Sequence, residues 1–334
     1  MNLEPTLLFD ESTITSLLNM HDINQIVDQT FRDLGRGKTI NPKKVNLDLG
    51  ETGNYPYYEG FMNAMPAYIG YQDIAGQKWV GGFLGDRKKA GLPYITAMTL
   101  LIDPHLGHFI SVMEGSYISN MRTGSQAACA IQYLYRKSNI TIGLYGAGMQ
   151  ARKTIEAIAD LFTIDRLIVW NHRRSTAETF KEEMKPLVDG EIIVTEDGEE
   201  AAQAEVLITL TPAQTPIIKH AWVKPGTVIF PMGSFQEIED ELILSTDKIV
   251  VDHIGQALTR GALRHLNAQG KITEKDIYTT IGELALTEKP LPNIENELTI
   301  CIPIGTGAMD VACAYEAYKK GKAQSLGTPF NFLG

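Results

Sequence analysis

Ile140-Thr141-Ile142-Gly143-Leu144-Tyr145-Gly146-Ala147-Gly148-Met149-Gln150-Ala151 is the stretch that decides the fold of this chain. Ile140 to Tyr145 reads as a buried strand, the pattern Gly146-x-Gly148-x-x-Ala151 follows at once, and Ile155, Ile158, Leu161 and Phe162 then share one face of a helix. Such a glycine pattern alone is weak evidence, but between a strand and a helix each small residue acquires a task. Gly146 permits the tight turn, Gly148 lets backbone approach a pyrophosphate, and Ala151 packs helix against strand. The helix start adds free N–H groups and a positive dipole end to receive phosphate. The stretch is therefore expected to be the dinucleotide-binding turn of a Rossmann domain, with Gly146, Ala147, Gly148, Met149 and Gln150 against the cofactor.

Beyond residue 140, short apolar runs alternate with helical segments, as in a parallel sheet. The runs are Ile140 to Tyr145, Leu167 to Trp170, Ile192 to Val194, Val206 to Leu210, Val228 to Phe230 and Ile249 to Val251, and six such strands match the Rossmann count. After Asp252 the chain reads as helical until a strand-like Leu298 to Ile304.

The part before residue 140 reads differently. Leu17, Leu18, Ile23, Ile26, Val27, Phe31 and Leu34 predict an opening helix, with Asp22 placed to cap its second half. Strands in antiparallel style follow at 45–49, 61–69, 78–83, 94–102 and 109–113, the last two joined by the turn Asp103-Pro104-His105-Leu106-Gly107. A helix is expected over 116–135 and an amphipathic one over 309–320, with a loose tail from Gly321. The expected architecture is α/β: a Rossmann dinucleotide-binding domain over 126–305, inserted in a split α+β substrate and dimerisation domain formed by 1–125 and 306–334.

The end of the second Rossmann strand chooses the cofactor. NAD enzymes usually place an acid about 20 residues beyond the glycines to hold the ribose 2′-hydroxyl. Here Trp170-Asn171-His172-Arg173-Arg174 offers none, and Arg173 and Arg174 can pair with a 2′-phosphate. NADP(H) is therefore preferred, with NAD(H) the alternative and Asn171, Arg173 and Arg174 among the expected contacts.

Bulk composition excludes several classes. The chain has 334 residues, 44% of them hydrophobic and 21% charged, which suits an ordinary globular protein. A formal net charge of −10 disfavours nucleic acid and anionic membrane surfaces. Three cysteines without a CxxC pair suggest neither a disulfide framework nor a metal site. Neither a signal peptide nor a span of about 20 apolar residues is evident, so the cytoplasm is expected and a membrane is not.

Phe61-Met62-Asn63-Ala64-Met65-Pro66-Ala67-Tyr68, Lys78-Trp79-Val80, Gly91-Leu92-Pro93, Met113-Glu114-Gly115 and Asn120-Met121-Arg122-Thr123-Gly124 precede the Gly146 turn; Trp222-Val223-Lys224-Pro225-Gly226 and Gly305-Thr306-Gly307-Ala308-Met309-Asp310 follow it. In order and spacing, from about residue 7 to 320, these motifs resemble the ornithine cyclodeaminase/mu-crystallin family. The resemblance implies hydride exchange between a nicotinamide and the α-carbon of an amino acid or its imine, and a homodimer formed through the split domain. It implies that Lys78 and Arg122 bind the substrate carboxylate, with Lys44 a third cation.

Chemistry fits those roles. An α-imino acid needs its carboxylate anchored, for which arginine gives a two-point clamp, and a desolvated lysine can exchange a proton. Lys78 and Arg122 are the expected catalytic residues, Asn63 and Glu114 pocket walls, and Thr123, Thr211, Met232 and Gly233 further cofactor contacts.

Two departures bear on the reaction. The cyclodeaminases of the family carry an aspartate where Met232-Gly233-Ser234-Phe235-Gln236 has Phe235, and a glutamate where this chain has Asn63. Without those carboxylates, unless Glu237, Glu239 or Asp240 replaces one, plain reduction or dehydrogenation is favoured over cyclodeamination with ammonia loss, and Phe235 becomes a substrate-pocket residue. A nucleotide- or hormone-binding protein without turnover is the third reading, against which the Lys78 and Arg122 pair argues.

Overall fold

The computed structural model describes residues 4–50, 58–135, 137–287, 293 and 296–332. The chain divides into two compact units, Met1–Arg122 with Thr306–Gly334, and Thr123–Gly305.

In the first unit β1 (Thr6–Phe9), β2 (Val45–Asp48), β3 (Gly60–Ile69), β4 (Ile74–Phe83), β5 (Ile95–Asp103) and β6 (His108–Glu114) join the C-terminal strand Thr328–Phe330 in one sheet. Its order is Thr328–Phe330, β1, β6, β5, β4, β3, β2. Strands β2 to β6 run antiparallel, as their alternating pattern predicts, whereas β1 lies parallel to β6. Along β3, Asn63, Met65, Ala67 and Ile69 are buried on one face. The helix Gly307–Ala323 covers that face: a Cβ at Gly307 would run into the Met65 carbonyl oxygen, and Gly76 of β4 faces Val311.

Four expectations change here. The helix Gly307–Ala323 is buried on nearly all sides along its first half rather than amphipathic, because the helix Met20–Gly35 packs on it as well as the sheet. The chain opens with a strand, and the tail beyond Gly321 forms a strand that pairs Thr6 with Phe330. Segments this short show no period and are held by their pairing alone. The second opening helix is capped by Asn19, whose side chain accepts from Asp22 N at 2.9 Å, with Asp22 answering from the third position.

The second unit holds β7 (Asn139–Tyr145), β8 (Thr163–Trp170), β9 (Glu191–Thr195), β10 (Val206–Thr209), β11 (Val228–Pro231), β12 (Lys248–Val251), β13 (Thr279–Thr280) and β14 (Thr299–Ile302). They form one eight-stranded sheet, ordered β13, β12, β14, β11, β10, β7, β8, β9, and parallel throughout. From β9 to β11 this is Rossmann order, reversing beside β7, where such sheets bind their ligands. To the six expected strands and the strand-like 298–304, which forms β14, the sheet adds β13, and β14 lies between β11 and β12. All four residues of β14 are buried, and an apolar run buried on both faces belongs in a sheet interior. The helix Met149–Leu161 returns Ile155 and Ile158 to the core.

Candidate active site

In the first unit Lys78 sits on β4 with 1% of its surface exposed, Arg122 on the helix Ser116–Leu134 with 6%, and Asp310 in the first turn of Gly307–Ala323 with none. Lys78 Nζ lies 2.9 Å from Asp310 Oδ2, and Arg122 Nε donates to Asp310 Oδ1 at 3.2 Å. Ser119 Oγ accepts from Lys78 Nζ at 3.1 Å and from Arg122 Nη2 at 3.4 Å. Two cations thus share one carboxylate and one hydroxyl, and the three charged groups sum to one positive charge. Burial pushes the Lys78 ammonium down to about 8, with the Arg122 charge adding to the fall and Asp310 opposing it. A buried net cation is costly without an anion, so this arrangement suits a small anionic ligand.

Asn63 is buried on the same sheet face; its Oδ1 accepts from Asn46 Nδ2 at 2.9 Å, and Met65, two positions on, pairs with Lys78 across β3 and β4. Lys44 precedes β2 and is half-buried. Glu114 ends β6 and accepts from Ser116 N at 2.6 Å and Tyr117 N at 3.1 Å, which caps the helix carrying Arg122. Asp310 is the participant that sequence reasoning did not single out. Its signal was an acid on a helix otherwise rich in small and apolar residues.

In the second unit the glycine turn has the form its pattern predicts. Gly146 has φ +105°, and a Cβ there would meet the Leu210 carbonyl oxygen at 2.6 Å. Gly148 is different: a Cβ there would meet no protein atom within 4 Å. No packing inside the protein requires glycine at 148, whereas a closely approaching phosphate group does. Gly148 is also the N-cap of Met149–Leu161, where no side chain caps the first N–H groups. These residues fit a dinucleotide.

The neighbouring side chains hold the turn in shape. Asn171 Oδ1 accepts from Ala147 N at 3.1 Å while its Nδ2 donates to Arg173 O at 2.9 Å, and Arg152 Nη1 donates to Ala147 O at 2.6 Å. Asn171 is thereby engaged with the turn itself. Arg173 is the N-cap of the helix Arg174–Met184, and Arg174 lies 3.2 Å from Glu178 and 3.8 Å from the more exposed Glu196.

At the ends of β10 and β11 two of the expected contacts, Thr211 and Gly233, converge on one buried carboxylate, while Met232 does not reach it. Glu237 accepts from Thr209 Oγ1 at 2.6 Å, Thr211 N at 2.8 Å, Thr211 Oγ1 at 2.7 Å and Gly233 N at 2.6 Å. Met232 N donates to Thr209 O at 3.1 Å. Burial pushes the Glu237 carboxyl up, against the four donors, each of which pulls it down. Glu239 accepts from His220 N at 2.8 Å, and Asp240 accepts from Gln236. Phe235, which precedes these acids in the chain, is 45% exposed. Thr123 follows Arg122 on the same helix and is partly buried.

Residues 5–325 match the model of the ornithine cyclodeaminase/mu-crystallin family. The chain belongs to that family. Among its members, alanine dehydrogenase of Archaeoglobus fulgidus is 32% identical over 333 residues, spanning 98% of this chain and 99% of that one. A solved archaeal alanine dehydrogenase dimer with bound NAD superposes with a TM-score of 0.90 at 32% identity, covering 98% of this chain and 99% of the other. The family's Δ1-pyrroline-2-carboxylate reductase from Thermococcus litoralis, solved with NADH and L-proline, gives a TM-score of 0.88 at 29% identity over 97% and 99% of the two chains. The family's Rossmann core is the eight-stranded unit described above. Among the described residues no helix is long and apolar enough to cross a membrane, and no group of three or more His, Cys, Asp or Glu is placed to hold a metal ion.

Proposed function

We propose that this protein is a nicotinamide-dependent oxidoreductase acting on the C–N bond of an α-amino acid or of the corresponding imino acid. The observation that carries the reading is the buried group of Lys78, Arg122 and Asp310, whose single net positive charge matches one substrate carboxylate. In the reductive direction Arg122 clamps the carboxylate and Lys78 holds the proton that the imine nitrogen takes up. The nicotinamide, when bound, supplies the hydride. Alanine dehydrogenase and pyrroline-carboxylate reductase relatives support the same substrate class.

NADP(H) is the preferred dinucleotide, because no carboxylate ends β8 and Arg173 and Arg174 follow it. NAD(H) is the second reading: Glu196 partly neutralises Arg174, and the two solved relatives hold NAD or NADH. Cyclodeamination is disfavoured, since Glu237, Glu239 and Asp240 are each tied to local donors and Phe235 stands where an acid would be needed. We propose the split unit as the substrate and dimerisation domain. Its outer sheet face exposes Ile40, Trp79, Met98 and Phe109, and a relative is a dimer. Three buried free cysteines support a reducing compartment, the cytoplasm.

The deciding experiment follows NADPH and NADH oxidation by the purified protein against 2-oxo acids with ammonia or amines and against cyclic imino acids, with ammonia release from ornithine measured in parallel. Turnover of an imino or 2-oxo acid is expected. Proline and ammonia from ornithine, with no imine reduced, would overturn the reading.

A further inference from the structure

Glu237 is a buried carboxylate with an unusual set of partners. Its two oxygens receive four donors, two of them backbone N–H groups that can only donate, and among the described residues no Lys, Arg or His lies within 4 Å of it. A carboxylate removed from water is costly when its charge is left uncompensated, even with its hydrogen bonds made. The same hydrogen bonds tie the end of β10 to the end of β11, and the tie leaves no room for a side chain at 233, where a Cβ would overlap the Glu237 carboxylate. Both strands lie on the side of β7 opposite β8. In a Rossmann sheet the ribose that carries the 2′ group lies towards the second strand, so the β10 and β11 side belongs to the nicotinamide half of the cofactor.

We propose that Glu237 is a positioning residue for the nicotinamide half, and that its charge favours the oxidised, cationic ring over the reduced, neutral one. The inference rests on the dinucleotide reading above. Glu237 acts through Thr211 and Gly233, whose backbone and hydroxyl groups it fixes, and the missing counter-cation is supplied only when the ring carries positive charge.

The test titrates the full-length protein with NADP+, NADPH and 2′-phospho-ADP-ribose, and with NAD+, NADH and ADP-ribose, by calorimetry. For the preferred series, Glu237→Gln is expected to lose ~10-fold in affinity for the oxidised form, no more than ~3-fold for the reduced form, and less than ~2-fold for the ADP-ribose fragment. Thr209→Val, which removes one donor and leaves the charge, should weaken both dinucleotides alike by ~3-fold and spare the fragment. It keeps the positioning claim testable should the Gln variant not fold. Equal losses for oxidised and reduced forms in Glu237→Gln would overturn the charge role, and losses that include the fragment, or no loss in either variant, would overturn the positioning role. Failure of the wild type to bind any of the six ligands would instead overturn the dinucleotide reading.

Discussion

Lys78 Nζ stands 2.9 Å from Asp310 Oδ2 with both side chains withdrawn from water, on a strand and a helix far apart in the chain. Because Lys78 titrates near 8 in the folded protein, it can give and take a proton close to neutral pH. The rate of imine reduction, measured as kcat/KM, should fall above pH about 8, and amino-acid oxidation should rise through the same pH. Lys78→Met should lose both limbs and ~100-fold or more in rate.

Stability carries the same signature. The folded pKa of Lys78 lies below its ordinary 10.5, so the unfolded chain binds more protons between about 8 and 10.5. Stability should therefore rise with pH across that window, by up to about 3 kcal/mol. Denaturant titrations at pH 7, 9 and 10.5 check the slope, which Lys78→Met should lack while being no less stable than wild type at pH 7.

Asp310→Asn should behave in the opposite way. It leaves Lys78 and Arg122 buried side by side without their shared carboxylate, at a cost of about 3–5 kcal/mol. Adding Lys78→Met to it should restore part of that loss, a coupling that a double-mutant cycle in urea measures. Additive losses would mean that the two side chains do not interact.

The two glycines of the turn should separate folding from binding. Gly148→Ala enters open space and should change stability by less than ~0.5 kcal/mol while weakening dinucleotide binding ~10-fold or more. Gly146→Ala meets a carbonyl oxygen at a positive φ and should cost ~1–3 kcal/mol of stability. Thermal melts and cofactor titrations of both variants suffice.

Trp79 and Met98 are opposed across β4 and β5 and about half exposed, 49% and 51%. If that face joins two copies, Trp79→Glu should yield a monomer in sedimentation equilibrium at concentrations where the wild type is a dimer. An unchanged dimer would place the interface elsewhere.

The parallel sheet was legible because its central strands β10 and β11 are buried on both faces and read as unbroken apolar runs. The place of β14 was not, since an apolar tetrapeptide does not encode which neighbours it will have. Thr6–Phe9 and Thr328–Phe330 escaped for the same reason: the first is a strand through β6 and the second through Thr6–Phe9, neither through a pattern of its own. At the candidate site Lys78 and Arg122 stood out as polar residues in apolar or small-residue surroundings. Asp310 lies 188 positions from Arg122, and its part in the cluster follows from tertiary packing that no local spacing records. Glu237 looked like one of several loop acids until its four donors were located.

The position of β14 also governs when the nucleotide unit can mature. Strands β11 and β12 do not pair with each other and are joined in the sheet through β14, which is synthesised after everything else in that sheet. A nascent chain that has emerged only as far as β13 therefore presents two unfilled strand edges, and pairing them with each other would give the sheet the wrong strand order. Until residues 299–302 are available, neither edge can take its native neighbour.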